Sequence, residues 1–202
     1  MQIHEDGRPV FRFSMFKGWW SNKQKAMERY FIEEPENVTS AWMDFGARVA
    51  DALDKKEPWV SHLDLPEYDQ SEYRVIETFP EVPEMLIRGT LDRYSTELHK
   101  IIDDKCCKHR KSAAGSQYQE QLLFYQVLIE QKHGWVDNES NIHWIPVDMD
   151  DNGIVRFTGE PAELIPYLAT PEMRQEMREK IISTAKDINV CWEAFKRGDI
   201  KL

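Results

Sequence analysis

Three strand-like segments follow one another in the middle of the chain: "YRVIETF" (73–79), "EMLIRGTLDRY" (84–94) and "LHKIIDDK" (98–105). Segments rich in β-branched and aromatic residues and separated by short gaps read as adjacent strands. Helical patterns flank them on both sides, which restricts the fold to a sheet covered by helices. "SMFKGWWSNKQKAMERYFIEE" reads as a helix capped by Ser14. "NVTSAWMDFGARVADALDKKE" reads as a second, with Trp42, Phe45, Val49 and Leu53 on one stripe. The Pro- and acid-rich piece 56–72 reads as a loop. After the strands, "SQYQEQLLFYQVLIEQKHG" is a helix closed by Gly134, and "NIHWIPVDMDDNGIVRFTG" has the form of a hairpin turning at Asp151-Asn152-Gly153. A long helix runs from Pro171 to about Arg197. The expected fold class is α/β, a mixed central β-sheet flanked by helices, with N-terminal helices (13–55) and a long C-terminal helix (171–197). At 202 residues and 41% hydrophobic content, one domain spanning 1–202 suffices, with its core over about 73–160.

A formal charge of -10 counts against a broad nucleic-acid-binding surface. Two stretches, 7–27 and 105–119, nevertheless lack acids altogether. They offer Lys17, Lys23, Lys108, Arg110 and Lys111, with Trp20 as an aromatic neighbour, as contacts for an anionic polymer entering one cleft. The same residues equally describe solvated faces. No apolar run approaches the ~20 residues of a membrane span, and the N-terminus "MQIHEDGRPVFRF" is charged where a signal peptide is apolar. Three cysteines, Cys106, Cys107 and Cys191, make no disulfide framework. A cytoplasmic protein without membrane attachment is expected.

In "IIDDK", alternation puts Asp103 and Lys105 on one strand face and Asp104 on the other. A hairpin turning about Glu97-Leu98 sets Asp92 directly opposite Asp103. Two carboxylates so placed repel unless a proton or a cation lies between them. Oxygen ligands suit Mg²⁺ or Mn²⁺. The alternative is an edge strand whose charges face water.

"IRGTLDR", "IIDDK" and then a helix containing "QEQLLFY" resemble, in order and spacing, the PD-(D/E)XK nuclease superfamily, and within it the RecB-like and phage-type exonucleases. The matching residues are Gly89 and Asp92, Asp103 and Lys105, and Gln121 and Tyr125. The resemblance implies a restriction-endonuclease-like core and Mg²⁺- or Mn²⁺-dependent hydrolysis of DNA phosphodiesters. In that reading Asp92, Asp103 and the backbone carbonyl of Asp104 hold the metal, with Glu77 or Glu84 as a further carboxylate. Lys105 positions the attacking water, and Gln121 and Tyr125, one helical turn apart, brace the site or meet the nucleic acid. Exonuclease action in DNA recombination or repair, in a bacterial or phage-infected cytoplasm, follows as an expectation, together with a recombination or single-strand-binding partner protein.

Family members often carry a His a few residues after a Gly in the first helical region; here Gly46 is followed by Ala50. A catalytically inactive nuclease fold that binds DNA or protein is therefore the alternative. Some relatives hold an iron–sulfur cluster on four cysteines; with three, no such cluster is expected here.

Overall fold

The computed structural model describes residues 1–32, 40–63 and 67–202. Its frame is an eight-stranded mixed sheet. β3 (Gln70–Glu77) pairs antiparallel along nearly the whole of β4 (Leu86–Ser95), from Gln70 opposite Tyr94 to Glu77 opposite Ile87. Two strands share the other edge of β4. β2 (Pro9–Arg12) runs parallel to its start, with Arg12 beside Arg88, and β5 (Lys100–Cys107) runs antiparallel to its end, from Arg93 opposite Ile102 to Ser95 opposite Lys100. β5 then leaves β4 and follows β6 (Glu139–Met149) in parallel, from Ile102 beside Asn141 to Cys107 beside Pro146. The sheet therefore forks along residues 89–92 of β4. β1 (Gln2–Ile3) pairs with β2, while β7 (Val155–Phe157) and β8 (Glu163–Leu168) both run antiparallel to β6.

A parallel β5–β6 pair needs a crossover, supplied by α4 (Arg110–Ala113) and α5 (Ser116–His133). Every residue from Leu122 to Ile129 is buried, because α5 is enclosed between the sheet and α6 (Pro171–Lys196). Gly134 closes α5 at φ 81°, the left-handed conformation expected of its C-terminal cap. Thr170 caps α6 by accepting from the Met173 N–H, with Pro171 in the first turn.

The N-terminal helical stretch differs from expectation. Its first helix, α1 (Phe13–Ser21), begins at Phe13, so Ser14 lies inside it and is not its cap. Asn22, in an extended conformation, interrupts the chain, and its side chain accepts from Lys25 N–H at 3.0 Å to start α2 (Lys23–Met27). An Asn that bonds the backbone locally competes with helix continuation. A π-helical turn, Glu28–Ile32, follows; the expected end of that helix, 33–34, lies outside the described residues. α3 (Ala41–Asp54) starts at Ser40, which accepts from Met43 N–H. The segment 37–39, also read as helical, lies outside the described residues.

Two cores sit on opposite faces of the sheet. α1, α5 and α6 cover one, with Phe11, Phe16, Leu91, Ile101, Phe124 and Ile181 among the buried residues. α3 covers the other, setting Val49, Ala52 and Leu53 on Ile145, Val147 and Val155, with Trp42 and Phe45 packed at its margin. Each such large apolar side chain contributes roughly 1.5–3 kcal/mol when fully buried. Cys106 joins the α3 side and Cys107 the α5 side, so alternation splays the adjacent thiols to different faces.

Candidate active site

The fork places two carboxylates together. Arg93 pairs with Ile102, so one step further along the register sets Asp92 against Asp103, as alternation and the turn about Glu97-Leu98 require. β5 is already turning towards β6 at that point. The Asp104 N–H, having no β4 carbonyl to meet, donates to Asp92 Oδ2 at 2.9 Å. Asp103 is 2% exposed. Its Oδ2 is ion-paired with Lys105 Nζ at 2.5 Å, yet has no aligned hydrogen-bond donor among the described residues. Lys105 Nζ also donates to the Asp104 carbonyl at 3.3 Å and lies 5.1 Å from the centre of the Tyr118 ring. Asp104 turns its own side chain to the α3 face, towards Arg93 and His143.

Burial, together with the charge of Asp103, pushes the Asp92 carboxyl up to about 8. Burial also raises Asp103, against the pull of Lys105. Burial works against the charge on Lys105, but Asp103 and Asp92 hold its ammonium above the ordinary lysine range. At neutral pH Asp92 therefore keeps a proton that a bound cation would displace, while Lys105 stays paired with Asp103. A hard divalent cation fits this donor set: two carboxylates, an incompletely satisfied buried oxygen and a neighbouring backbone carbonyl. Among the described residues no group of three His, Cys, Asp or Glu side chains is gathered to hold a metal.

Gln121 and Tyr125 enter from α5, and Gln121 Nε2 donates to the Tyr125 hydroxyl at 2.9 Å. Burial, and the nearby Asp103 and Asp92, raise the Tyr125 phenol, so this ring borders the acid pair. It also explains Gly89. A Cβ there would meet the Tyr125 ring at 3.0 and 3.1 Å and Val75 Cγ1 at 3.1 Å. Overpacking of this kind costs about 1–3 kcal/mol. Gly89→Ala is expected to lower the unfolding midpoint in urea without altering the slope of the transition; an unchanged midpoint would remove this account of the glycine.

Beyond Tyr125 lies a cavity of about 320 Å³ lined by Arg12, Ser14, Lys17, Arg88, Thr90, Gln121 and Tyr125, with Phe13. Among the described residues no acidic side chain lines it. Arg12 and Arg88 are ladder neighbours, and like charges side by side destabilise a sheet unless an anion lies between them. Arg88 Nε is buried with no hydrogen-bond partner among the described residues. Burial and the charges of Arg12 and Arg74 lower the Arg88 pKa. Lys17 Nζ reaches Gln117 Oε1 at 3.1 Å. Of this group, the sequence points to Lys17 and Arg12 through the basic stretch 7–27 and to Gln121 and Tyr125 through the helix motif, but not to Arg88. Arg88, next to the motif glycine, was the available signal.

Other candidates fall elsewhere. Lys23 pairs with Asp187 at 2.7 Å, and Trp20 donates to Thr184 at 2.8 Å beneath Lys180, so neither lines the cavity. Lys108 pairs with Asp148 at 2.7 Å and Arg110 with Glu163 at 2.6 Å; Lys111 is exposed beside them. Glu77 lies opposite Ile87, five residues from Asp92 along β4, and Glu84 is exposed in the turn before it. The register instead brings Glu72 against Asp92, between the pairs Ser71–Arg93 and Tyr73–Leu91. Glu72 adopts φ 48° and lines a second cavity, on the α3 side, with Asp92, Asp104, Cys106, Gly46 and Ala50.

No family model matches the sequence, and no curated protein matches it either. Solved structures do match. One is a Eubacterium rectale protein provisionally assigned as an exonuclease, similar at TM-score 0.56 and 12% identity over 100% of this chain and 89% of the other. Another is LHK-Exo in complex with dAMP, at TM-score 0.56 and 10% identity over 95% of this chain and 93% of that one. At these identities the likeness is one of fold. The chain shares its fold with these two structures, and that fold sets Asp92, Asp103 and Lys105 at the fork of its sheet.

Proposed function

We propose that the protein is a Mg²⁺- or Mn²⁺-dependent deoxyribonuclease that hydrolyses DNA from an end. The observation that carries this reading is the acid pair Asp92–Asp103 beside Lys105, with a cation-lined cavity across Tyr125. Asp92, Asp103 and the Asp104 carbonyl would hold the cation. Bound there, it supplies Lewis acidity to a phosphoryl oxygen and lowers the pKa of water. Lys105 orients the attacking water and offsets charge developing on the phosphate. Arg12, Arg88 and Lys17 take a terminal phosphate, so that the scissile bond is measured from the strand end. Gln121 and Tyr125 separate the two sites and fix their spacing.

The test incubates the protein with labelled linear duplex, circular duplex, single-stranded DNA and RNA, with either metal, and with strand ends phosphorylated or not. Degradation of linear but not circular DNA is expected, faster from phosphorylated ends. An ionic hydrogen bond contributes about 1.5–3 kcal/mol. Arg88→Ala should therefore abolish the preference for phosphorylated ends by raising KM about tenfold or more, with kcat little changed. If no substrate is cut under any of these conditions, the enzyme reading fails. Ala50 at the second cavity, where related enzymes carry a His, favours one other reading: a catalytically inactive DNA-binding module. Gel-shift binding without cleavage would support it.

A further inference from the structure

Behind the acid pair, on the α3 face, Arg93, Asp104 and His143 meet in the protein interior, and Asp54 reaches Arg93 from the surface. Arg93 is 1% exposed; its Nε donates to Asp104 Oδ2 at 2.8 Å and its Nη1 to Asp54 Oδ1 at 3.0 Å. The guanidinium lies 4.5 Å from the centre of the Tyr68 ring. His143 is fully buried, and its Nδ1 lies 2.9 Å from Asp104 Oδ1. His143 Nε2 has no partner among the described residues, so the ring's polar contact is with Asp104. Burial raises the Asp104 carboxyl, but His143 and Arg93 more than reverse this and hold it below the ordinary range. Asp54 extends the chain of contacts to the last turn of α3.

Burying charges costs several kcal/mol per ion unless each is paired in good geometry, and an apolar side chain at 104 would fill the same space without that cost. What the carboxylate adds is orientation. Both of its oxygens are fixed, one by Arg93 from β4 and one by His143 from β6, so the Asp104 residue cannot rotate about its strand. Its main chain carries two groups that face the acid pair: the N–H that holds Asp92 Oδ2 at 2.9 Å, and the carbonyl that Lys105 Nζ approaches at 3.3 Å. We propose that buried Arg93, Asp104 and His143, with Asp54 reaching in from the surface end of α3, form a clamp that positions the Asp92 carboxylate and the Asp104 carbonyl, with His143 and Arg93 as positioning residues. The inference rests on the nuclease reading for its catalytic consequence, but not for its structural one.

The experiment compares wild type with His143→Leu, which fills the volume without a hydrogen bond, and His143→Asn, whose amide can replace the Nδ1 contact. Three quantities are read: amide hydrogen exchange at Asp104 by NMR, Mn²⁺ affinity by calorimetry, and kcat and KM on linear DNA. Removing a group that orients a metal ligand typically costs tenfold to a hundredfold in affinity. His143→Leu is expected to speed Asp104 exchange about tenfold, weaken Mn²⁺ by about tenfold or more and lower kcat with KM for DNA unchanged. His143→Asn should recover most of each effect. The clamp is overturned if His143→Leu leaves Asp104 exchange and Mn²⁺ affinity unchanged. It is equally overturned if exchange accelerates alike at core amides such as Ile181 and Ala185, the mark of a merely structural role. If wild type cuts no nucleic acid, the nuclease reading fails, while the exchange measurement still decides the clamp.

Discussion

Asp103→Asn and Lys105→Ala are each expected to reduce metal-dependent DNA cleavage by on the order of a thousandfold or more, while circular dichroism reports a folded chain. Asp103 is fully buried, so no exposed neighbour can take over its oxygen. Lys105 is its ion-pair partner at 2.5 Å and borders the Asp104 carbonyl. The two variants differ in their effect on stability. Lys105→Ala leaves a buried carboxylate without its cation, a loss of about 3–5 kcal/mol. Asp103→Asn removes one of two repelling carboxylates and leaves Lys105 facing Asp92, so its stability should stay closer to wild type. Lys201→Ala, altering an exposed side chain that belongs to neither the site nor the basic stretches, serves as the control. Cleavage by Asp103→Asn within tenfold of wild type would eliminate the acid pair as the catalytic centre.

The second large effect is thermal. Mn²⁺ present at a hundred times its Kd stabilises a protein that binds it only when folded by about 2.7 kcal/mol, a rise of roughly 5–10 °C in Tm for a chain of this size. In chelator the dependence on pH runs the other way from that of an ordinary paired acid. Asp92 titrates at about 8 when folded against its ordinary 3.8, so between these values the folded state binds more protons than the unfolded one. Its contribution to stability is complete below about pH 4 and is lost as pH rises through 8, with a slope of at most about 1.4 kcal/mol per pH unit. Asp92→Asn cannot release that proton, so its melting curve should flatten over this range and no longer respond to Mn²⁺. The difference between wild type and variant isolates the acid pair from the other titrating groups. A wild-type Tm indifferent to both Mn²⁺ and pH would refute the cation site.

The acid pair was legible in the sequence because everything that builds it is local. Period-two alternation and a four-residue turn, Thr96–His99, connect Asp92 to Asp103 within one hairpin. The helix residues Gln121 and Tyr125 were legible for the same reason, a spacing of one turn. The anion pocket was not. Arg12 meets Arg88, 76 residues on, through a parallel pairing of strands, and such pairings leave no mark on either segment alone. The basic run 108–111 reads by itself as free of acids, and only the fold shows Asp148 and Glu163 reaching Lys108 and Arg110 from β6 and β8. Glu72 was hidden because the Pro- and acid-rich piece 56–72 reads as a loop, whereas β3 begins at Gln70 and carries Glu72 alongside Asp92. The clamp was hidden too: His143 and Asp104 look like ordinary strand residues until β5 and β6 are placed side by side.

The flank of α3 that faces the strands carries Gly46, Ala47 and Ala50, leaving a cavity of about 180 Å³ against Asp92. Most of the surrounding sheet has no such slack, since Asp103, Arg93 and His143 are hemmed in on every side. Mutational latitude and functional constraint therefore lie within one side chain's length of each other. A larger residue at position 50 can enter that space without moving the sheet, so the side chains that face Asp92 can change while the scaffold that aligns Asp92 and Asp103 stays as it is.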